Sequence, residues 1–115
     1  ERVSQSGSSA ANLLGISTQN PSRQVFWTSG PSRHLKLGAQ SVELKHVLSW
    51  QLRAPNSRAG HAFRALAYFG KTEAAQALRR IKATLNEEEQ RELLSLRASA
   101  PTWMAKELSA LAPSQ

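Results

Sequence analysis

Three histidines, His34, His46 and His61, are the first side chains to consider for metal or acid-base chemistry. Their separations of 12 and 15 residues match no ligand spacing on a helix or in a zinc loop. On strand and helix positions His34 reads as a solvent-side residue and His46 as a rim residue. The run Glu87-Glu88-Glu89 could be imagined as a carboxylate pair, but adjacent helical residues point about 100° apart, and acids in a first turn are explained by the helix dipole. Gly70-Lys71-Thr72 imitates the end of a phosphate-binding loop. Ala65 stands where that loop needs its first glycine, and a helix precedes it where the motif requires a strand. Gly7-Ser8-Ser9 lacks the second glycine of a nucleophile elbow, and no Asp exists to complete a triad. No catalytic residue, metal or cofactor is therefore expected, and the chain reads as non-enzymatic.

What remains is charge. The 115 residues carry fifteen Lys+Arg against eight acids, a net of +7, and every acid is Glu. Residues 1–82 hold +9 and residues 83–115 hold −2. A field of that sign favours polyanions or an acidic protein and raises their encounter rate. The candidate binding residues are Arg33, Lys36 and Lys45 on the sheet, with Arg53, Arg58, Arg64, Arg79, Arg80 and Lys82 leading into and along the first helices. Trp27, Trp50 and Tyr68 lie among them, and aromatics between cations suit single-stranded nucleic acid; the competing reading is a solvated basic face with Trp27 in the core.

These residues need elements to position them. An apolar content of 40% predicts a folded body, with the polar Glu1 to Ser9 segment outside it. The length predicts one domain over 1–115, with a sheet-containing part at 1–56 and a helical part at 57–115. No cysteine means no disulfide, thiolate zinc site or thiol nucleophile, and no apolar run approaches the roughly twenty residues that span a bilayer. A soluble, cytoplasmic protein is expected.

Ser8 or Ser9 can cap a short helix that Gly15 stops, and Ser17 to Arg23 reads as a loop. Strands are predicted at Gln24–Thr28, Arg33–Leu37 and Gln40–Val47, joined by Ser29-Gly30-Pro31-Ser32 and Gly38-Ala39. Their order predicts a three-stranded antiparallel meander. From residue 57 the period becomes helical. Ala59, Ala62, Phe63, Leu66 and Phe69 form a stripe ended by Gly70, with Arg58, His61, Arg64 and Ala65 off it. A second helix turns Ala75, Leu78, Ile81 and Leu85 inward, a third starts at Thr84 or Asn86, and a fourth after Pro101 carries Trp103, Met104, Leu108 and Leu111. The fold class is α+β, a small antiparallel sheet preceded by a short helix and followed by a four-helix subdomain.

The segment Ser6-Gly7-Ser8-Ser9-Ala10-Ala11-Asn12-Leu13-Leu14-Gly15-Ile16-Ser17-Thr18-Gln19 with Pro21, then Thr28-Ser29-Gly30-Pro31-Ser32-Arg33, Lys45-His46 and Ala100-Pro101-Thr102-Trp103-Met104, resembles the AbiEi family of type IV antitoxins and related regulators. The resemblance runs from about Ser6 to about Leu111 and is densest in the first forty residues. It implies a domain that opposes a nucleotidyltransferase-like toxin in an abortive-infection system, one that in relatives follows an N-terminal winged helix that binds DNA. It implies that this chain starts where the second domain starts and carries no catalytic residue. Two readings of the basic face stay open: binding of an acidic toxin surface, or contact with DNA or RNA phosphates.

Overall fold

A computed structural model describes residues 1–15 and 24–112, the Leu37 side chain apart. The expected loop from Ser17 to Arg23 lies outside the described residues. The architecture is α+β: a four-stranded mixed sheet, one short helix woven into its start, and helices after it.

The first strand, β1 (Val3–Gln5), falls in the Ser-rich segment expected to lie outside the body. It pairs antiparallel with β2 (Gln24–Thr28), Val3 opposite Thr28 and Gln5 opposite Phe26. Backbone pairing needs no apolar pattern, and Ser4 and Ser6 are buried here. Helix α1 (Gly7–Leu13) is capped by Ser6, two residues earlier than expected, whose Oγ accepts from the Ser9 N–H at 3.3 Å. Gly15 follows with φ 74°, consistent with its expected role as the stop.

Strands β3 (Arg33–Leu37) and β4 (Gln40–His46) form the expected hairpin. Gly38 has φ 63° at the first central position of the two-residue turn. The sheet order, however, is β1-β2-β4-β3, with β4 parallel to β2. The meander is thus corrected. The connection 29–32 steps over the end of β4 instead of closing a hairpin with β2. Skipping one strand spans about 10 Å, which four residues cover. His46 holds that bridge: its N–H donates to Ser32 Oγ at 2.8 Å, and its Nδ1–H donates to the Gly30 carbonyl at 2.9 Å. The Val47 N–H donates to the Thr28 carbonyl at 3.0 Å and continues the parallel register.

A 3-10 turn, Ser49–Leu52, leads to α2 (Arg58–Thr84). Gly70 breaks this helix with φ 81° and ψ 178°, angles open essentially to glycine alone. The two arms, 58–69 and 71–84, fold back on each other: Arg58 Nη2 donates to the Thr84 carbonyl at 3.4 Å across 26 residues. Ala59, Ala62, Phe63 and Leu66 of the first arm and Ala74, Ala77, Leu78 and Ile81 of the second are buried in one core. Each fully buried large side chain contributes about 1.5–3 kcal/mol. Ala75 is exposed, and Ala74 and Ala77 take the inward place expected of it, while Ala65 joins the core from a position expected off the stripe.

Asn86 caps α3 (Glu87–Ser95) in a reciprocal box. Its Oδ1 accepts from the Glu89 N–H at 2.8 Å, and Glu89 Oε1 accepts from the Asn86 N–H at 2.9 Å. After a 3-10 turn, Leu96–Ser99, α4 (Thr102–Leu108) follows Pro101 and buries Met104 and Leu108 in the same core. The sheet joins this helical body through Trp27, Val47 and Leu52, which pack with Ala67, and through α1. Gly7 lets α1 approach: a Cβ there would lie 2.3 Å from Tyr68 Cβ and 2.6 Å from the Arg64 carbonyl oxygen.

Candidate partner-binding surface

The nine candidate cations divide by environment. Arg64 does not reach solvent. It is 0% exposed, with Nη1 donating to the Arg53 carbonyl at 3.0 Å and Nη2 to the Pro55 carbonyl at 3.1 Å. Nη2 also stands 3.0 Å from His61 Nδ1. Guanidinium can only donate, so His61 Nδ1 accepts and its proton is on Nε2. Burial pushes the Arg64 pKa down to about 10, which leaves it protonated at neutral pH. His61 is held below its ordinary value by desolvation, then by Arg64 and Arg58. This pair is a structural post. It fixes the 53–57 segment, where Ala54 has φ 49° and its carbonyl oxygen would lie 1.7 Å from any Cβ at Gly60. Arg64 is thereby removed from the binding set, because the guanidinium is buried and donates to backbone carbonyls within the fold.

Two more cations are neutralised internally. Arg33 Nη2 pairs with Glu1 Oε2 at 2.8 Å, and Thr28 Oγ1 donates to the same carboxylate. The Thr28 hydroxyl and Arg33 hold the Glu1 carboxyl below its usual range. Arg58 Nε pairs with Glu89 Oε2 at 3.2 Å.

Six cations remain exposed: Lys36, Lys45, Arg53, Arg79, Arg80 and Lys82. Among the described residues none of these six has an ion pair. They form three groups on separate elements. Lys36 and Lys45 lie on the same face of the β3–β4 hairpin, together with exposed His34, whose Nε2 is 3.8 Å from Glu43. Arg53 lies toward the opposite edge. Arg2, beside β1, donates to the Leu52 carbonyl at 3.3 Å, and both arginines line a shallow hollow of about 180 Å³ with Trp50. Arg79, Arg80 and Lys82 project from the second arm of α2, and Arg80 borders a groove with Phe69, Glu73 and Gln76.

Sequence reasoning passed over His34 and Arg2 as members of these groups. Strand alternation already placed His34 with Lys36; nothing local placed Arg2 beside Arg53. The aromatics do not interleave as a platform. Trp27 is core, and Trp50 packs edge-on to Phe63 with ring centres 5.8 Å apart, which leaves Tyr68 as the exposed one. Glu87, Glu88 and Glu89 are first-turn residues of α3, with Glu89 bonded into its cap. Among the described residues no group of three or more His, Asp or Glu is placed to hold a metal, and no helix is long and apolar enough to cross a membrane.

Fold and surface together define an α+β domain with cations displayed on a sheet edge and on a helical hairpin. The chain belongs to a family described as a family of unknown function (DUF6088), whose model matches residues 1–93, from β1 into α3. No curated protein and no solved structure matches it.

Proposed function

We propose that this chain is a non-enzymatic binding domain of a type IV antitoxin or related transcriptional regulator, and that it opposes a nucleotidyltransferase-like toxin by engaging an acidic surface of that toxin. The observation that carries this reading is the division of charge. Glu1, Glu43 and Glu89 are engaged inside the fold, while Lys36 and Lys45 on the hairpin have no carboxylate partner among the described residues. Unpaired, exposed cations steer an acidic partner and fix its register. The resemblance of the Ser6–Gln19 segment and of Ala100–Met104 to AbiEi antitoxins supports the choice of partner. Recovery of the partner from the native host with tagged protein, followed by mass spectrometry, tests it; a nucleotidyltransferase-like protein is expected.

A second reading is favoured by one feature. Arg79, Arg80 and Lys82 stand exposed within about one turn of the second arm, a spacing suited to successive phosphates of a nucleic acid. Binding to DNA or RNA through this arm predicts a salt dependence that falls when the three are neutralised.

A further inference from the structure

Among the described residues β3 is an edge strand, bonded to β4 on one side and to no other strand. The two-residue turn Gly38-Ala39 makes Leu37 and Gln40 the hydrogen-bonded closing pair, so the pairs Leu35–Val42 and Arg33–Leu44 bond as well. His34 and Lys36 therefore turn their backbone N–H and C=O groups away from the sheet. Among the described residues these groups have no backbone partner. The side chains alternate as the pleat demands: His34 and Lys36 stand on one face, and Leu35, 42% exposed, on the other.

We infer that the β3 edge takes up an extended acidic segment of a protein partner as a fifth strand, with carboxylates beside His34 and Lys36 and an apolar side chain beside Leu35. Main-chain bonds to residues 34 and 36 supply the pairing, and alternate side chains supply the choice. Charge selects the occupant. A second copy of β3 would bring one Lys36 against the other, and like charges beside each other disfavour the pair. An acidic strand meets the reverse arrangement. Glu43, the one acid opposite His34, is half-buried and already faces His34. This inference deepens the toxin-binding reading and rests on it for the biological partner, but the edge itself is tested separately.

The test uses the full chain and short fluorescent peptides of alternating Glu and Val, of alternating Lys and Val, and of Glu and Val with two central prolines. The Glu/Val peptide is expected to bind at least about tenfold tighter than either of the others. Hydrogen exchange should slow at the His34 and Lys36 amides on binding. Lys36→Pro removes an outward N–H without touching a bond to β4 and should abolish binding; Lys36→Glu, which keeps the backbone intact, should weaken it about tenfold. Equal binding of the proline-broken peptide, or no protection at residues 34 and 36, overturns the edge site. If host pull-down recovers a toxin-like protein equally with wild type and Lys36→Pro, the edge site falls and the toxin reading stands. If the Glu/Val peptide binds with protection at residues 34 and 36 and no such protein is recovered, the edge site stands and the toxin reading falls.

Discussion

Arg64 donates a hydrogen bond to His61 Nδ1 at 3.0 Å, one helical turn away, and the same guanidinium holds the Arg53 and Pro55 carbonyls. A cation with no carboxylate partner among the described residues here closes the segment between sheet and helices. Arg64→Ala should leave those acceptors unsatisfied around a cavity and destabilise the protein by about 2–4 kcal/mol. Arg64→Lys should recover only part of this, because one ammonium cannot serve a planar set of acceptors. Urea midpoints of the two variants measure the difference.

The same contact sets a pH dependence. His61 accepts from Arg64 only when neutral, and the fold holds its pKa below the ordinary 6.5 through desolvation and the two arginines. The unfolded chain binds the proton first as pH falls, so stability is fully present above the unfolded value and declines on acidification through it. Urea midpoints compared at neutral and mildly acidic pH should drop for wild type. His61→Gln keeps an acceptor and does not titrate, so its midpoint should drop less.

Gly70 decides the path of the helical hairpin. Gly70→Ala meets no neighbour within 4 Å, yet must hold φ 81° and ψ 178°, and should cost about 1–3 kcal/mol. Gly60→Ala is a different failure. Its Cβ would overlap the Ala54 carbonyl oxygen, and the expected outcome is displacement of the 53–57 segment, read as a lowered midpoint in thermal melts.

Neutralising Arg79, Arg80 and Lys82 separates the two binding readings. If nucleic acid is the partner, the slope of log affinity against log salt should fall by roughly 0.9 per lost duplex phosphate contact. If the partner is an acidic protein on the hairpin, the triple variant should bind it as wild type does.

Strand positions were legible because Val42 and Leu44 alternate with Glu43 and Lys45, and period two survives in any neighbourhood. Strand order was not. Ser29-Gly30-Pro31-Ser32 serves a hairpin or a bridge over a strand end equally well, and the parallel pairing of β4 with β2, with the bonds from His46 and Val47, distinguishes them. β1 escaped notice because Val3-Ser4-Gln5 pairs through its backbone and carries little apolar pattern. Gly70 was legible as a break, since glycine followed an apolar stripe, but the reversal it makes depends on the packing of both arms. For the surface, residue type picked out Lys36, Lys45, Arg79, Arg80 and Lys82, yet could not tell Arg64 from Arg80. That distinction lies in which carbonyls surround the guanidinium, and those come from a segment about ten residues away.

Lys36 and Lys45 on the hairpin carry the proposed partner binding, and one comparison tests them. Tagged wild-type protein and the Lys36→Glu/Lys45→Glu variant, each shown to be folded by circular dichroism, are used to recover partners from the native host. A nucleotidyltransferase-like protein held in stoichiometric amount by wild type and lost from the variant is the predicted result. Absence of such a protein with wild type, or its undiminished retention by the variant, would contradict the account.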